Sequence, residues 1–236
     1  MAEALINGQK IHYELAGVLD FKLRTPALLL HGNGESMRIW AKTVQPLLNS
    51  RGFVLMDSRF QGESKPVDPE EAPKITYDLM ADDALKLMEA ELNVPEYDII
   101  GFSDGAIIAL LMAGRSIRIR RLILIGVNSE PSGLKPKMIR IIRKELEDAV
   151  HRKSRLEAEL LRLMLKEPHI KPNELAKIMC ETTVVYGQKD EAIRREHTEA
   201  IADAMPRGSF VEIPNAGHDV PVTHPFELSE LIRSLL

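Results

Sequence analysis

The chain has 236 residues, of which 44% are hydrophobic and 28% charged, a composition that suits a globular protein with a large core. The formal net charge of −4 gives no global attraction to nucleic acid or acidic membranes. The single cysteine, Cys180, excludes an intramolecular disulfide and favours a reducing compartment. No apolar run approaches the roughly 18 to 20 residues of a membrane-spanning helix, and the first residues lack a signal-peptide pattern. We therefore expect a soluble, cytoplasmic protein that binds neither nucleic acid nor membrane; its oligomeric state stays open.

Short apolar runs alternate with helical patterns along the chain. After an opening hairpin at 4–7 and 10–15, five runs are nearly all apolar, which is typical of strands buried on both faces of a parallel sheet. These runs lie at 27–30, 53–56, 97–100, 122–125 and 183–186, and a weaker strand follows at 209–213. Helical patterns separate them near 37–49, 75–92, 104–115, 194–205 and 224–236. This order predicts an α/β fold, with a mostly parallel doubly wound sheet of about eight strands in a single domain over 1–236.

One interval, 130–177, interrupts the alternation with amphipathic helical sequence and no strand pattern. Insertions at the C-terminal ends of parallel strands lie where such sheets bind ligands. We therefore expect a small helical lid over the site. Its apolar faces, which include Ile142, Leu160, Leu163 and Met164, are expected either to pack on the core or to line the cleft.

A serine between two glycines follows the run at 97–100. The sequence Gly101-Phe102-Ser103-Asp104-Gly105 fits the pattern G-x-S-x-G between a strand and a helix. Glycines are needed there because the backbone turns sharply, and the turn holds the serine oxygen at the C-terminal edge of the sheet. The amide of Asp104 lies at a helix N-terminus, where partial positive charge favours an oxyanion. Taken alone, the same pattern also occurs in ordinary glycine-rich turns.

A nucleophilic serine needs a base, and the base needs an orienting acid. Asp190 follows the run at 183–186, and His218 follows the last strand, so these residues stand in the order Ser, Asp, His. Upstream, the sequence His31-Gly32-Asn33-Gly34 places a second glycine turn after a strand, where a backbone N–H can complete an oxyanion hole. With these four loops in this order, the chain resembles the α/β-hydrolase superfamily across essentially its full length.

The resemblance implies that Ser103 is the nucleophile, Asp190 the acid and His218 the base, with no cofactor and no metal. It also implies an oxyanion hole made by the amide of Asp104 and that of Asn33, or of Gly34 in its place. A serine in the turn argues against the haloalkane dehalogenase and epoxide hydrolase branches, which carry an aspartate there.

The segment Asp57-Ser58-Arg59-Phe60-Gln61-Gly62-Glu63-Ser64 is similar to the superfamily's D-x-R-G-x-G-x-S loop, with Phe60 in place of the first glycine. That loop is usually structural. The departure therefore bears on local shape more than on catalysis.

The expected activity is hydrolysis of a small carboxylic ester through an acyl-enzyme. Thioesters, amides and carbon–carbon bonds next to a ketone stay open as substrates, because fold and triad do not fix the acyl group. A non-catalytic member of the fold that binds a small ligand is the alternative from another class.

Asp104 raises a separate question about the substrate. A carboxylate about 6 Å from a developing oxyanion repels it by roughly 3 kcal/mol at an effective dielectric near 20, more than the roughly 0.3–1 kcal/mol gained at a helix N-terminus. The Ser-Asp-Gly form of the turn also resembles the valacyclovirase-like branch, which hydrolyses amino-acid esters. We therefore expect Asp104 to bind a positively charged group of the substrate, such as an α-amine.

Overall fold

The computed structural model describes residues 2–21, 24–68, 70 and 73–236. Within this part of the chain, one nine-stranded sheet forms the centre, with the order β1-β2-β4-β3-β6-β7-β8-β9 and the short β5 paired with β2. The strands are β1 (Ala2–Ile6), β2 (Gln9–Gly17), β3 (Ala27–Leu30), β4 (Gly52–Met56), β5 (Lys65–Pro66), β6 (Tyr97–Phe102), β7 (Ile119–Ile125), β8 (Glu181–Gly187) and β9 (Gly208–Ile213).

The sheet is mixed, with its antiparallel pairs at one side. β1 and β2 pair antiparallel and β2 pairs antiparallel with β4, whereas the pairs from β4 through β3 to β9 are parallel. Every residue of β3, β4 and β6 is buried, because helices cover both faces. The mostly parallel α/β sheet predicted from the apolar runs is confirmed. The two-residue β5 was not predicted, since Lys65 and Pro66 carry no strand pattern.

Helices fill the intervals between the strands. They are α1 (Ala41–Val44), α2 (Tyr77–Lys86), α3 (Asp104–Ala113), α4 (Pro136–His151), α5 (Arg155–Lys166), α6 (Pro172–Leu175), α7 (Arg195–Ala204), α8 (Val220–Thr223) and α9 (Pro225–Leu235). The helix expected at 37–49 is divided, since 3₁₀ turns at Met37–Trp40 and Gln45–Leu47 flank the four residues of α1. α2 begins after Thr76, whose side chain accepts the N–H of Leu79, and continues into a π-helical turn at Leu87–Glu91.

Alternate residues of each strand enter two cores, one on each face of the sheet. Leu28 and Leu30 lie in the core with the apolar residues of α2 and α3, while Leu29 faces the opposite core with Trp40 and Leu228. Each fully buried side chain of this kind contributes about 1.5–3 kcal/mol relative to an exposed one. α3 is almost wholly buried, which fixes the position of its N-terminus at the end of β6.

The segment 130–177 lies between β7 and β8 and contains a 3₁₀ turn at Pro131–Gly133 followed by α4, α5 and α6. An isolated bridge pairs Leu134 with Ile193, just after β8. Part of the segment packs into the main core, and part forms a third apolar cluster together with Ala192 and Ile193, which follow β8. In the described part of the chain, no helix has the length and apolar character needed to cross a bilayer.

Candidate active site

Ser103 lies at the sharp turn between β6 and α3, with φ 51° and ψ −116°. A Cβ atom on Gly101 would lie 2.4 Å from the carbonyl oxygen of Gly105, and a Cβ atom on Gly105 would lie 2.2 Å from that of Leu30. Both positions therefore require glycine. The positive φ of the serine costs on the order of 1–3 kcal/mol, and the packed strand and helix on either side maintain it.

The side chains of Ser103, His218 and Asp190 form one hydrogen-bonded chain. Nε2 of His218 is 3.2 Å from Oγ of Ser103, and Nδ1 of His218 is 2.8 Å from Oδ2 of Asp190. The other oxygen of Asp190 accepts the backbone N–H groups of Ala192 and Ile193, at 2.7 and 2.8 Å. These two bonds fix the carboxylate plane, so that one oxygen always faces the imidazole.

The environment of His218 raises its pKa above the ordinary value. Burial, the largest single effect, acts in the opposite direction, but the hydrogen bond and charge of Asp190 and the charges of Asp219 and Glu191 together outweigh it. The imidazole is also packed against Phe102, with ring centroids 5.2 Å apart. An imidazole held in this way can accept a proton at Nε2 while Nδ1–H remains bonded to the carboxylate.

The loop after β3 is held in place by side-chain contacts. Nδ1 of His31 donates to the carbonyl oxygen of Gly32 at 2.8 Å, and its Nε2 accepts the N–H of Ser58 at 3.0 Å. The N–H of Gly34 donates to Oε1 of Gln61 at 2.7 Å, so this amide is already engaged. Asn33 lines the cavity beside Ser103, while the exposed Gly34 does not. This geometry favours Asn33 over Gly34 as the partner of Asp104 in an oxyanion hole.

The loop at 57–64 supports the loop after β3. Oδ1 of Asp57 accepts the N–H of Met37 at 2.7 Å, and Arg59 forms two hydrogen bonds with Asp83, at 2.6 and 2.8 Å, in a buried ion pair. Phe60, which stands where the superfamily pattern has glycine, keeps a left-handed backbone conformation with φ 59°. Phe60 therefore adopts a backbone conformation that glycine also adopts readily, and the loop keeps its contacts with Gly34 and Met37.

A cavity of about 290 Å³ opens in front of Ser103 and His218. Six apolar residues of the segment 130–177 line it, namely Leu134, Met138, Ile141, Ile142, Leu161 and Met164. The four apolar residues expected either to pack on the core or to line the cleft fall into both groups. Ile142 and Met164 line the cavity, while Leu160 and Leu163 belong to the main core. The segment lies on the same edge of the sheet as Ser103.

The charged residues of this cavity are acidic. Carboxyl groups line it, from Glu35, Asp104, Glu145, Glu167 and Asp219, and no lysine or arginine among the described residues does so. Burial raises the pKa of Asp104 to about 6, even though hydrogen bonds from Asn33 and Tyr77 and the charge of His218 lower it. Burial likewise raises the pKa of Glu35 to about 7. In both cases burial of the carboxyl group is the largest cause of the raised pKa.

Asp104 is nearly fully buried, and both of its oxygens accept hydrogen bonds. Nδ2 of Asn33 donates to Oδ2 at 2.8 Å, and the hydroxyl of Tyr77 donates to Oδ1 at 2.7 Å. The same amide of Asn33 also donates to the carbonyl oxygen of Leu160 at 3.3 Å. Neutral donors therefore orient this carboxylate without neutralising its charge.

The sequence reasoning did not identify Tyr77, Glu35 or Glu167 as residues of the site. Glu35 lies in the glycine turn that the sequence indicated, and its Oε2 accepts the N–H of Gly32 at 2.9 Å. Tyr77 is the first residue of α2, and Glu167 follows α5, so only tertiary packing brings them to the cavity. The residues that the structure describes contain no group of three His, Cys, Asp or Glu side chains suited to hold a metal ion.

A larger groove of about 580 Å³ opens at the opposite edge of the sheet. It is lined by several arginines, but Arg121 and Arg207 both pair with Glu181. It lies at the N-terminal ends of β7 and β8, away from Ser103. The groove and the cavity beside Ser103 therefore lie at opposite edges of the sheet.

Comparisons with known proteins agree with this architecture. The model of the alpha/beta hydrolase family matches residues 27–231. Serine hydrolase BPHL of Mus musculus is 26% identical over 262 residues, which covers 100% of this chain and 86% of the mouse protein. The esterase EaEST from Exiguobacterium antarcticum superposes with a TM-score of 0.81 at 19% identity, covering 97% of this chain and 96% of that one. A thermophilic esterase from Thermogutta terrifontis gives a TM-score of 0.76 at 22% identity, with 96% and 92% covered. At these identities, the likeness to the two solved structures shows the fold.

Proposed function

The chain belongs to the alpha/beta hydrolase family and is an enzyme of that type, and from this premise we propose that it is a serine esterase for small, positively charged carboxylic esters. The observation that carries the proposal is the hydrogen-bonded chain from Ser103 through His218 to Asp190, which opens into an acidic cavity. The relatives named serine hydrolase support a serine nucleophile.

In the proposed mechanism, Oγ of Ser103 attacks the ester carbonyl while Nε2 of His218 takes the hydroxyl proton. The tetrahedral intermediate collapses when the bond to the alcohol oxygen breaks, and His218 gives its proton to that oxygen. The alcohol leaves, and the acyl group remains on Ser103. Water then attacks the acyl-enzyme with His218 again as general base, and the carboxylic acid is released.

The backbone N–H groups of Asn33 and Asp104 are proposed to bind the oxyanion. Both residues line the cavity beside Ser103. The N–H group of Asp104 lies at the N-terminus of α3, where the helix dipole adds positive potential. Removing one such donor in a comparable site costs about 10²- to 10³-fold in kcat.

The segment 130–177 is proposed to act as a lid. Its apolar residues line the cavity that Ser103 and His218 also line, and they would hold the hydrophobic part of the ester and exclude water from the acyl-enzyme. The lid also contacts the catalytic loops directly, because Nζ of Lys135 donates to the carbonyl oxygen of Asp190.

The substrate is proposed to carry a cation close to the scissile ester, as an amino-acid ester does. Asp104 is adjacent to Ser103 in sequence, its charge is not neutralised by lysine or arginine, and four further carboxyl groups surround the same cavity. A substrate ammonium next to Asp104 would offset the repulsion between this carboxylate and the oxyanion. That repulsion makes an acid at this position unfavourable for an enzyme of neutral esters.

The proposal is tested by comparing kcat/KM for an L-amino-acid benzyl ester and for its N-acetylated form. We expect the free amine to be preferred by at least about tenfold at pH 7 in the wild type, and Asp104→Asn to lose most of that preference. Equal rates for the two esters would contradict the charged-substrate proposal. Rates that are zero for both, together with turnover of a thioester, an amide or a diketone, would assign the triad to one of those bonds. Binding of esters without turnover would favour a non-catalytic member of the fold.

A further inference from the structure

Tyr77 connects α2 to the serine turn through a single buried hydroxyl. Its side chain is 1% exposed, and its O–H donates to Oδ1 of Asp104 at 2.7 Å. The backbone N–H of Tyr77 donates to Oε2 of Glu167, where the segment 130–177 leaves α5. The ring also lines the cavity. Three elements of the site therefore meet at this residue.

The hydroxyl of Tyr77 stays protonated and donates to the ionised carboxylate of Asp104, which has no proton to give in return. Burial and the charge of Asp104 both raise the pKa of Tyr77 well above its ordinary value. A donated hydrogen bond stabilises the ionised carboxylate relative to the neutral acid. Asn33 supplies a second donor, to Oδ2, so the two bonds hold the carboxylate in one plane while its remaining lone pairs stay available to the cavity.

We propose that Tyr77 is a positioning residue that sets substrate specificity, because its hydroxyl keeps Asp104 ionised and oriented to receive the cationic group of the ester. This inference rests on the proposed function, in which Asp104 binds that group. Tyr77 then controls the preference for charged over neutral esters, although it makes no bond to the reacting atoms. The hydroxyl acts through Asp104, and the imidazole acts on Ser103 independently of it.

Several charged groups share this environment, and each could contribute to a pH dependence. The titratable groups that face Asp104 or share its cavity come from the loop after β3, α2, α4, the end of α5 and the loop after β9, and they are Glu35, Tyr77, Glu145, Glu167, His218 and Asp219. His218 serves as the general base for both esters, so the ratio of kcat/KM for a free-amine ester to that for its N-acetylated form removes the part of its titration that the two esters share. A shift of the midpoint of this ratio in Tyr77→Phe then reports on Asp104, because Asp104 is the carboxyl group to which the hydroxyl donates.

The test measures this ratio from pH 5 to 7 for the wild type, Tyr77→Phe and Tyr97→Phe. An α-amine with a pKa of about 7.7–8.0 stays largely protonated in this range. Tyr97→Phe is the matched control, because Tyr97 is also fully buried and its hydroxyl also donates to a carboxylate, Glu89 at 2.9 Å, at the opposite edge of the sheet. Circular dichroism and thermal unfolding establish that each variant is folded.

In the wild type, the ratio is expected to rise with pH through a midpoint near 6, the pKa of Asp104. Loss of the phenolic donor raises that pKa by about one unit, so the Tyr77→Phe midpoint moves up by about one pH unit and the ratio at pH 6 falls about fivefold. Tyr97→Phe keeps the wild-type curve. A folded Tyr77→Phe variant with the wild-type midpoint would overturn the role of Tyr77 and leave the proposed function intact. A wild type with no free-amine preference at any pH would instead refute the proposed function.

Should Tyr77→Phe fail to fold, Asn33→Ser tests the same carboxylate from its other side. Serine keeps the backbone N–H of the proposed oxyanion hole but removes the amide that donates to Oδ2. We expect the midpoint of the ratio to move upward here as well. A midpoint that stays in place would mean that the donors to Asp104 do not control its ionisation, which would overturn the inference.

Discussion

The orientation of Asp190 makes one substitution especially informative. In Asp190→Asn, one side-chain oxygen becomes an NH₂ group, and the two backbone donors from Ala192 and Ile193 decide which one. The side-chain carbonyl oxygen must face those donors, so the NH₂ group faces Nδ1 of His218. The imidazole then has to accept at Nδ1 and carry its proton on Nε2, where it can no longer take the proton of Ser103.

The magnitude follows from the hydrogen bonds. If the side-chain amide of the Asp190→Asn variant turned over, the buried backbone N–H groups of Ala192 and Ile193 would face an NH₂ group and lose their hydrogen bonds. Each lost bond would cost about 1–3 kcal/mol, or about 2–6 kcal/mol in total. The inactive tautomer therefore predominates, and we expect kcat to fall by about 10³- to 10⁴-fold, the size of loss seen when a triad aspartate becomes asparagine. The Asp190 charge raises the pKa of His218, so its loss lowers that pKa. Because activity needs neutral imidazole, the acid limb of the residual kcat/KM profile should move to lower pH.

The assay is ester turnover from pH 5 to 9 for the wild type, Asp190→Asn and the matched variant Glu130→Gln. Glu130 follows β7, the strand that precedes β8, so it is the acid that would serve if Asp190 did not. Its side chain contacts Ser132 instead of the imidazole. Glu130→Gln should keep kcat within about twofold. An Asp190→Asn variant with full activity would refute the reasoning, and a loss in Glu130→Gln would transfer the role to Glu130.

Three further predictions follow from the site and the fold. In steady-state assays, Ser103→Ala and His218→Ala should each lower kcat by at least about 10³-fold. The double variant should be little worse than either single variant. Additive losses would contradict a joint role of the two residues. Met164→Trp should fill part of the cavity and raise KM for a benzyl ester by about tenfold relative to a methyl ester. The control is Met179→Trp, which should leave both KM values unchanged because Met179 is 64% exposed and does not line the cavity. Asp83→Asn should break its buried ion pair and lower the free energy of unfolding by about 3–5 kcal/mol in urea titrations, and a loss below about 1 kcal/mol would be incompatible with a buried charge left unpaired.

The sequence predicted the sheet because its central strands are buried on both faces. A run such as Ala27–Leu30 cannot alternate apolar and polar residues when helices cover both sides, and this signal is local. The division of the helix at 37–49 was not predicted. Pro46 stands in the second 3₁₀ turn, where it cannot donate a backbone hydrogen bond to continue the helix begun at α1.

The candidate catalytic residues could be named from chain order, since each follows a strand and parallel strands end at the same edge. Tyr77 and Glu167 could not be named in this way. Tyr77 has the pattern of an ordinary buried residue at the start of a helix, and Glu167 has that of a solvent-facing carboxylate after one. Their position at the cavity depends on how α2 and α5 pack over the sheet, which no local pattern specifies. Of the five carboxyl groups that line the cavity, only that of Asp104 was expected from the sequence to contact the substrate.

The central claim is that Ser103 is a nucleophile activated by His218. The most direct measurement is labelling with a fluorophosphonate probe, followed by mass spectrometry of the labelled peptide, in the wild type and in Ser103→Ala. We predict one phosphonate per chain, attached to Ser103, with labelling that falls sharply as pH drops below the pKa of His218, and no label in Ser103→Ala. A folded wild type that stays unlabelled while it hydrolyses esters, or a label that persists in Ser103→Ala, would contradict the account.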